Sequence, residues 1–129
     1  MILKSYEIKK KIQNLHKYNL FLLYGENIGL KKDIREKIKI ENIKEETNVE
    51  HLSLYEKDII ENEENFYNSI YSGSLFSNKK IITLNNGSDK IIKQIEDIEI
   101  KFPKNIILIV FADVLEKKSK LRIFFEKGS

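Results

Sequence analysis

The 129-residue sequence contains no cysteine, no tryptophan and one proline, and its two histidines are His16 and His51. Without cysteine the chain has no disulfide, no zinc ribbon and no thiol nucleophile. Two isolated histidines do not form a metal site without carboxylate ligands, so no metal site is expected. No apolar run approaches the roughly 18 residues of a membrane span, and residues 1–6 lack the apolar core of a signal peptide. We therefore expect a soluble, cytoplasmic protein with no membrane partner.

An excess of charge of one sign is also missing. The chain has 23 Lys and Arg against 20 Asp and Glu, which gives a net charge of +3. A strongly basic arm is excluded, and only two of the cations are Arg, the side chain preferred for base edges and phosphates. Direct DNA binding through Lys117, Lys118 and Lys120 stays open as an interpretation, but we expect it to be weak.

The hydrophobic fraction of 41% is enough for a core, and the length fits one domain over residues 1–129. Apolar runs predict four strands: Asn19–Tyr24, Val49–Tyr55, Lys80–Leu84 and Asn105–Phe111. Helical spacing predicts five helices: Ser5–Leu15, Leu30–Ile40, Asp58–Tyr71, Asp89–Ile98 and Lys117–Lys127. Strands that alternate with crossover helices are typical of a parallel sheet. The predicted fold class is therefore α/β, a three-layer parallel sheet with helices on both faces.

The turn after the first predicted strand is the place where a phosphate-binding loop would lie. Its sequence, Gly-Glu-Asn-Ile-Gly-Leu-Lys-Lys, aligns with the pattern G-x-x-x-x-G-K-[ST] at Gly25 and Lys31. Leu30 replaces the glycine that lets backbone amides close around a phosphate, and Lys32 replaces the hydroxyl that ligates Mg²⁺. We interpret Gly25, Gly29 and Lys31 as a degenerate phosphate loop that is not functional. Nucleotide binding through Gly25 and Lys31 remains the alternative function.

Catalytic carboxylates are also missing at the ends of the inner predicted strands. A nucleotide-hydrolysing site needs paired carboxylates there to hold magnesium and polarise water. One inner strand is followed by Asn85-Asn86 and the other by a single carboxylate, Asp113. We interpret Asp113 as a turn residue, and two scattered histidines offer no Ser-His-Asp arrangement. The sequence therefore predicts no catalytic residue.

The segment before the third predicted strand carries two large apolar residues, Leu75 and Phe76, among small polar ones. It follows a predicted helix stop at Gly73, and residues 77–80 separate it from the apolar part of the strand. An exposed Leu-Phe pair at a helix end is a natural anchor for a hydrophobic pocket on a partner. Burial of one or both side chains under the edge of the sheet is the alternative.

Four segments, in the same order along the chain, are similar to those of a known family. They are Phe21–Gly25, Ser74–Ser77, Asn105–Phe111 and Leu115–Leu121. The last, Leu-Glu-Lys-Lys-Ser-Lys-Leu, resembles the family's Leu-Asp-Lys-Arg-Ser-Lys-Leu, with Glu116 where the family commonly has Asp. On these motifs the chain resembles the N-terminal domain of the delta subunit of bacterial DNA polymerase III, the clamp-opening subunit of the clamp loader.

The resemblance implies a divergent AAA+ fold that binds no cofactor and does not hydrolyse ATP. It also implies a non-catalytic subunit of a DNA-directed DNA polymerase, an enzyme classed as a nucleotidyltransferase. In the family, a Leu-Phe pair after a helix inserts into a hydrophobic pocket of the ring-shaped sliding clamp and favours an open ring, which DNA can enter. Carried over by position, Leu75 and Phe76 are the anchors. The residues that would present them are Ile70, Tyr71, Gly73 and Ser74.

The family's full-length subunit also has a lid-like domain and a C-terminal collar, which assembles with the other clamp-loader subunits. Neither is expected within residues 1–129, and we expect Gly128-Ser129 to be a fragment boundary. The resemblance therefore implies that this chain binds the sliding clamp, and DNA only indirectly or weakly. It does not imply that the chain assembles a clamp loader by itself.

Overall fold

The computed structural model describes residues 2–4, 18–42, 49–72 and 79–128, with the backbone alone at residues 2–4 and 128. The strands are β1 (Ile2–Lys4), β2 (Leu20–Tyr24), β3 (Val49–Tyr55), β4 (Lys79–Asn85) and β5 (Ile106–Ala112). The helices are α1 (Ile28–Asn42), α2 (Glu56–Glu61), α3 (Glu63–Tyr71), α4 (Ile92–Glu99) and α5 (Lys120–Gly128). A 3-10 turn, Asp89–Ile91, precedes α4.

The strands of the described residues form one five-stranded parallel sheet in the order β1-β2-β5-β4-β3. The inner strands β2, β4 and β5 are buried almost without interruption, as expected of strands that are covered on both faces. The edge strand β3 instead alternates half-buried and exposed side chains over most of its length. The predicted α/β class with an all-parallel sheet is confirmed.

Helices cover both faces of the sheet. On one face, Ile34 and Ile38 of α1 pack against side chains of β2, β4 and β5. On the other face, α2, α3, α4, α5 and the 3-10 turn contribute a larger apolar cluster. Its helical residues are Ile59, Phe66, Ile70, Ile91, Ile95, Ile98, Leu121 and Phe125. Full burial of one such side chain contributes roughly 1.5–3 kcal/mol, so packing on the sheet, more than local propensity, holds these short helices.

The strands end together at one edge of the sheet, here called the carboxyl edge, and begin at the opposite one, the amino edge. After β2 the chain continues as α1 on one face, whereas α4 and α5 lie on the other face. The adjacent ends of β2 and β5 therefore form the switch point at which open α/β sheets bind ligands. At the amino edge, α3 ends at Tyr71 and β4 begins at Lys79, on either side of residues 73–78.

The prediction of one helix over Asp58–Tyr71 is wrong, because α2 and α3 are separate. Asn62 between them has φ −146° and ψ 79°, outside the helical region, and its side chain accepts a hydrogen bond from the amide of Asn65 at 3.0 Å. Asparagine favours such a cap over a helix interior because its side chain competes for backbone groups. The apolar spacing of Ile59 and Phe66 runs through the break, so periodicity did not reveal it.

Two further helix starts differ from the prediction. The helix predicted over Asp89–Ile98 begins with a 3-10 turn, and Ser88 caps it: Ser88 Oγ accepts a hydrogen bond from the amide of Lys90 at 3.3 Å. The last helix begins at Lys120 and not near Lys117, since residues 117–118 form a turn. The helix predicted over Ser5–Leu15 lies outside the described residues.

Strand β1 was not predicted. Its three residues are too few for an apolar alternation to be recognised, and pairing with β2 gives it its conformation. Within the described ranges, no helix combines the length and the apolar character that crossing a membrane requires.

Candidate functional site

The turn after β2 does not have the length of a phosphate loop. Helix α1 begins at Ile28, two residues before the predicted start, so the loop shrinks to residues 25–27. Asn27 caps the helix: its Oδ1 accepts a hydrogen bond from the amide of Leu30 at 2.9 Å. Gly29, one of the predicted loop residues, is helical, and the amides that would surround a phosphate are part of the first turn of α1.

Lys31, the second predicted loop residue, points into the protein. Its side chain is 4% exposed, and its ammonium donates hydrogen bonds to the carbonyl oxygens of Gly25 at 2.8 Å and Ala112 at 2.9 Å. Gly25 has φ 129°, a value that glycine adopts without strain, and its amide donates to the carbonyl of Asp113 at 3.2 Å. The lysine thus ties the ends of β2 and β5 together at the switch point.

Little space remains there for a ligand. A cavity of about 60 Å³ lies beside Lys31 and is also lined by Asn85, Asn86 and Ala112. Ligand pockets usually have roughly 300–1,000 Å³. The ammonium of Lys31 already donates to two main-chain carbonyls, and the cavity is small. Both observations argue against a nucleotide site built on Gly25 and Lys31. Asp113 is exposed, and its described backbone contact is with the turn after β2.

The two arginines are held against aromatic rings near the carboxyl edge, which the sequence analysis did not anticipate. The guanidinium of Arg35 lies 5.4 Å from the ring centroid of Phe111, and that of Arg122 lies 5.3 Å from the ring centroid of Tyr24. Phe111 and Tyr24 belong to the apolar clusters on opposite faces of the sheet. Each arginine thus contributes a cation–π contact to its own face of the fold, in addition to its charge.

The stretch Leu115–Leu121 fixes the start of α5. Ser119 is buried, and its hydroxyl donates a hydrogen bond to Asp89 Oδ1 at 2.6 Å. The same oxygen accepts from the amide of Leu121 at 3.0 Å. Burial alone would raise the pKa of Asp89, but the hydrogen bonds from Leu121 and Ser119 and the nearby Lys120 lower it below its ordinary value. The described contacts of this motif are therefore structural.

Of the six predicted clamp-binding residues, Gly73, Ser74, Leu75 and Phe76 lie outside the described residues. The other two occupy different surroundings at the end of α3. Ile70 is buried in the apolar cluster, and Tyr71 is 49% exposed. Ile70 therefore anchors the helix end, whereas Tyr71 belongs to the surface and comes two residues before the segment 73–78 in sequence.

The two ends that flank residues 73–78 are held by hydrogen bonds. The amide of Ser72 donates to the carbonyl of Asn68 at 2.8 Å and closes α3. On the other side, Lys80 is buried, and its ammonium donates to the carbonyl of Ser69 in the last turn of α3 at 2.9 Å. The ammonium of Lys79 donates to the carbonyl of Asn42 at the end of α1. The residues that flank 73–78 are thus bonded to α3 on one face of the sheet and to the end of α1 on the other.

A tyrosine aligns α3 with α4. The hydroxyl of Tyr67 donates a hydrogen bond to Asp97 Oδ2 at 2.9 Å, which joins the two helices side by side. Burial, this hydrogen bond and the negative charges of Asp97 and Glu63 raise the pKa of Tyr67 to about 12. The phenol therefore keeps its proton, and with it the hydrogen bond to Asp97, above pH 10, where an ordinary tyrosine begins to ionise.

No grouping of three or more His, Asp or Glu suited to a metal ion occurs among the described residues. His51 is exposed on the edge strand β3, and His16 lies outside the described part of the chain.

Comparison with known proteins identifies one family. The sequence profile of the family described as DNA polymerase III, delta subunit, matches residues 21–129. The matched region contains β2 from Phe21 onward, β3 to β5, α1 to α5 and the Leu75-Phe76 pair. A search among curated proteins found no significant match. Since the profile covers most of the sequence, the chain belongs to the DNA polymerase III delta subunit family, which acts in DNA replication.

Proposed function

We propose that this chain is the clamp-binding domain of a clamp-loader delta subunit and that Leu75 and Phe76 are its anchors on the sliding clamp. Membership in the delta subunit family over residues 21–129 is the observation that carries the proposal. The partner is the beta sliding clamp, and the full-length subunit would add the other clamp-loader subunits. The domain would act in the cytoplasm, and it would contact DNA only weakly or through the clamp.

The end of α3 is suited to present such a pair. Phe66 and Ile70 are buried and hold the helix on the sheet, while Tyr71, four residues before Leu75 in sequence, is half exposed. A rigid support lowers the entropy that is lost when a hydrophobic anchor enters a pocket. Burial of an aliphatic or aromatic side chain contributes roughly 1.5–3 kcal/mol, so two anchors supply a large share of a micromolar affinity.

The domain would act without hydrolysing ATP. The shortened loop and the buried ammonium of Lys31 leave a cavity of about 60 Å³ where a nucleotide would bind, and this supports a non-catalytic role. The parallel sheet with helices on both faces is compatible with the divergent AAA+ fold that the resemblance implies.

Ring opening requires a preference for the open state. A ligand shifts the equilibrium between a closed and an open clamp only by the difference in its affinity for the two. The Leu-Phe pair supplies anchoring energy, and the α/β body behind it would act on the neighbouring clamp surface. The proposal therefore predicts tighter binding to an open or monomeric clamp than to the closed ring.

The test is a titration of a bacterial sliding clamp with the wild-type chain and with Leu75→Ala/Phe76→Ala. Truncation of two hot-spot anchors is expected to cost at least about 2 kcal/mol, or about 30-fold in affinity. A variant that stays folded by circular dichroism and binds as tightly as the wild type contradicts the proposal. So does a folded wild-type chain that does not bind the clamp.

The matched control is Ile28→Ala/Val114→Ala. These two apolar side chains are 60% and 61% exposed, and both lie at the carboxyl edge, whereas the described residues that flank 73–78, Ser72 and Lys79, lie at the amino edge. The two substitutions remove an amount of apolar surface from the carboxyl edge that is comparable with the amount removed by Leu75→Ala/Phe76→Ala. The proposal predicts an unchanged clamp affinity for this variant, whereas non-specific hydrophobic adhesion would weaken in both variants alike.

A further inference from the structure

Lys80, predicted as the polar first residue of a strand, is a buried cation. It is 7% exposed, at the amino edge of an inner strand, where lysine is rare unless it is paired. Its ammonium donates a hydrogen bond to the carbonyl of Ser69 at 2.9 Å and lies 3.9 Å from Glu50 Oε2 on β3. One side chain thus connects β3, β4 and the last turn of α3.

This contact joins the two described chain ends, in α3 and β4, between which residues 73–78 lie in sequence; we call these two ends the base of that segment. Ser69 comes just before Tyr71, where α3 ends, and Lys80 is the second residue of β4. The bond therefore fixes the separation of the two chain ends that flank residues 73–78. A cation at the C-terminal end of a helix is also favoured by the helix dipole, so the contact stabilises α3 up to its last turn.

We propose that Lys80 is a positioning residue for clamp binding: by holding the last turn of α3 against the start of β4, it fixes the base from which Leu75 and Phe76 are presented. This inference rests on the proposed function. A positioning role differs from a purely structural one in what it predicts for a Lys80 variant. The variant should lose clamp affinity beyond what its lower stability explains, and the loss should require intact Leu75 and Phe76.

Lys31 provides a matched control for Lys80. Both ammonium groups are buried and donate to main-chain carbonyls, but Lys31 does so at the carboxyl edge and Lys80 at the amino edge. Lys80→Met and Lys31→Met are expected to lower the melting temperature to similar extents. Only Lys80→Met is expected to weaken clamp binding, by at least about fivefold at equal concentration of folded chain. If Lys80→Met does not fold, Lys80→Gln, which keeps a donor on a shorter side chain, replaces it with the same expectation.

A mutant cycle with Leu75→Ala separates positioning from general destabilisation. If Lys80 acts through the anchors, its replacement weakens binding by a clearly smaller factor in the Leu75→Ala background than in the wild type. Equal factors in both backgrounds overturn the inference. The inference is also overturned if Lys80→Met binds the clamp as tightly as Lys31→Met does, while Leu75→Ala/Phe76→Ala still abolishes or weakens binding. If Leu75→Ala/Phe76→Ala itself binds normally, the proposed function fails first, and the inference fails with it.

Discussion

The ammonium of Lys31 lies 2.9 Å from the carbonyl oxygen of Ala112 and joins the first turn of α1 to the end of β5. Lysine in this register of a phosphate loop would contact the phosphates of a nucleotide. Here the same residue type supplies a cation to the protein's own backbone at the switch point. A feature that resembles a ligand site in sequence thus serves as an internal brace.

This brace predicts that Lys31→Met destabilises the domain. The carbonyl groups of Gly25 and Ala112 would lose a buried donor, and an unsatisfied buried polar group costs about 1–3 kcal/mol. Urea denaturation measures the change, with Lys32→Met, a neighbouring exposed lysine, as the control expected to stay within about 0.5 kcal/mol. Equal effects of the two substitutions, or a rise in the melting temperature of the wild type with ATP and magnesium, would contradict the brace.

Two glycines are expected to respond oppositely to a methyl group. A Cβ on Gly87 would lie 2.7 Å from Val110 Cγ1 and 3.3 Å from the carbonyl oxygen of Phe111, so Gly87→Ala should destabilise the fold by about 1–3 kcal/mol. A Cβ on Gly29 would meet Asn27 Oδ1 at 3.4 Å, an ordinary contact. Gly29→Ala should therefore be neutral or stabilise α1 by up to about 1 kcal/mol. Denaturant midpoints distinguish the two, and a stable Gly87→Ala would show that β5 is less tightly packed than described.

The lowered pKa of Asp89 predicts a dependence of stability on acid pH. A carboxyl whose pKa is lower in the folded state adds stability above its unfolded pKa of about 3.9, and this contribution disappears as the pH falls through the folded pKa. The wild type should therefore exceed Asp89→Asn in stability at pH 6, and the difference should shrink toward pH 3. Thermal unfolding at both pH values measures it. A difference that is the same at both would mean that the charge of Asp89 contributes nothing.

The raised pKa of Tyr67 predicts sensitivity at the alkaline end. A group whose pKa rises from 10.0 to about 12 on folding adds stability below pH 10 and loses this contribution as the pH approaches 12. Tyr67→Phe should cost about 0.5–1.5 kcal/mol at pH 7, because the hydrogen bond to Asp97 is lost. It should also flatten the decline of stability above pH 10. Tyr71→Phe, at an exposed tyrosine four residues later, serves as the control, and an identical alkaline profile for both variants would contradict the assignment.

The inner strands could be predicted from the sequence, because β2, β4 and β5 are apolar runs whose burial on both faces needs no knowledge of partners. The break at Asn62 could not, since it depends on a local side-chain cap within an unbroken apolar spacing. The absence of a normal phosphate loop followed from Leu30 and Lys32. The inward orientation of Lys31 could not be predicted, because a lysine in a charged helix normally faces solvent. Its acceptor, the carbonyl of Ala112, is 81 residues away in sequence.

The candidate site shows the same division. The Leu-Phe pair is recognisable in sequence because two large apolar residues follow a helix stop among small polar residues. The hydrogen bond between Lys80 and Ser69 depends on the packing of α3 against the sheet, which no local pattern encodes.

The most direct test of clamp binding asks whether the pair itself touches the clamp. Phe76→p-benzoylphenylalanine places a photoreactive ring at the proposed anchor, and Ile28→p-benzoylphenylalanine places one at an exposed position of the carboxyl edge. Irradiation of each folded chain in a mixture with a bacterial sliding clamp should give a covalent adduct from position 76 and none from position 28. Crosslinking from position 28 alone, or a stable complex that gives no adduct from position 76, would contradict the account.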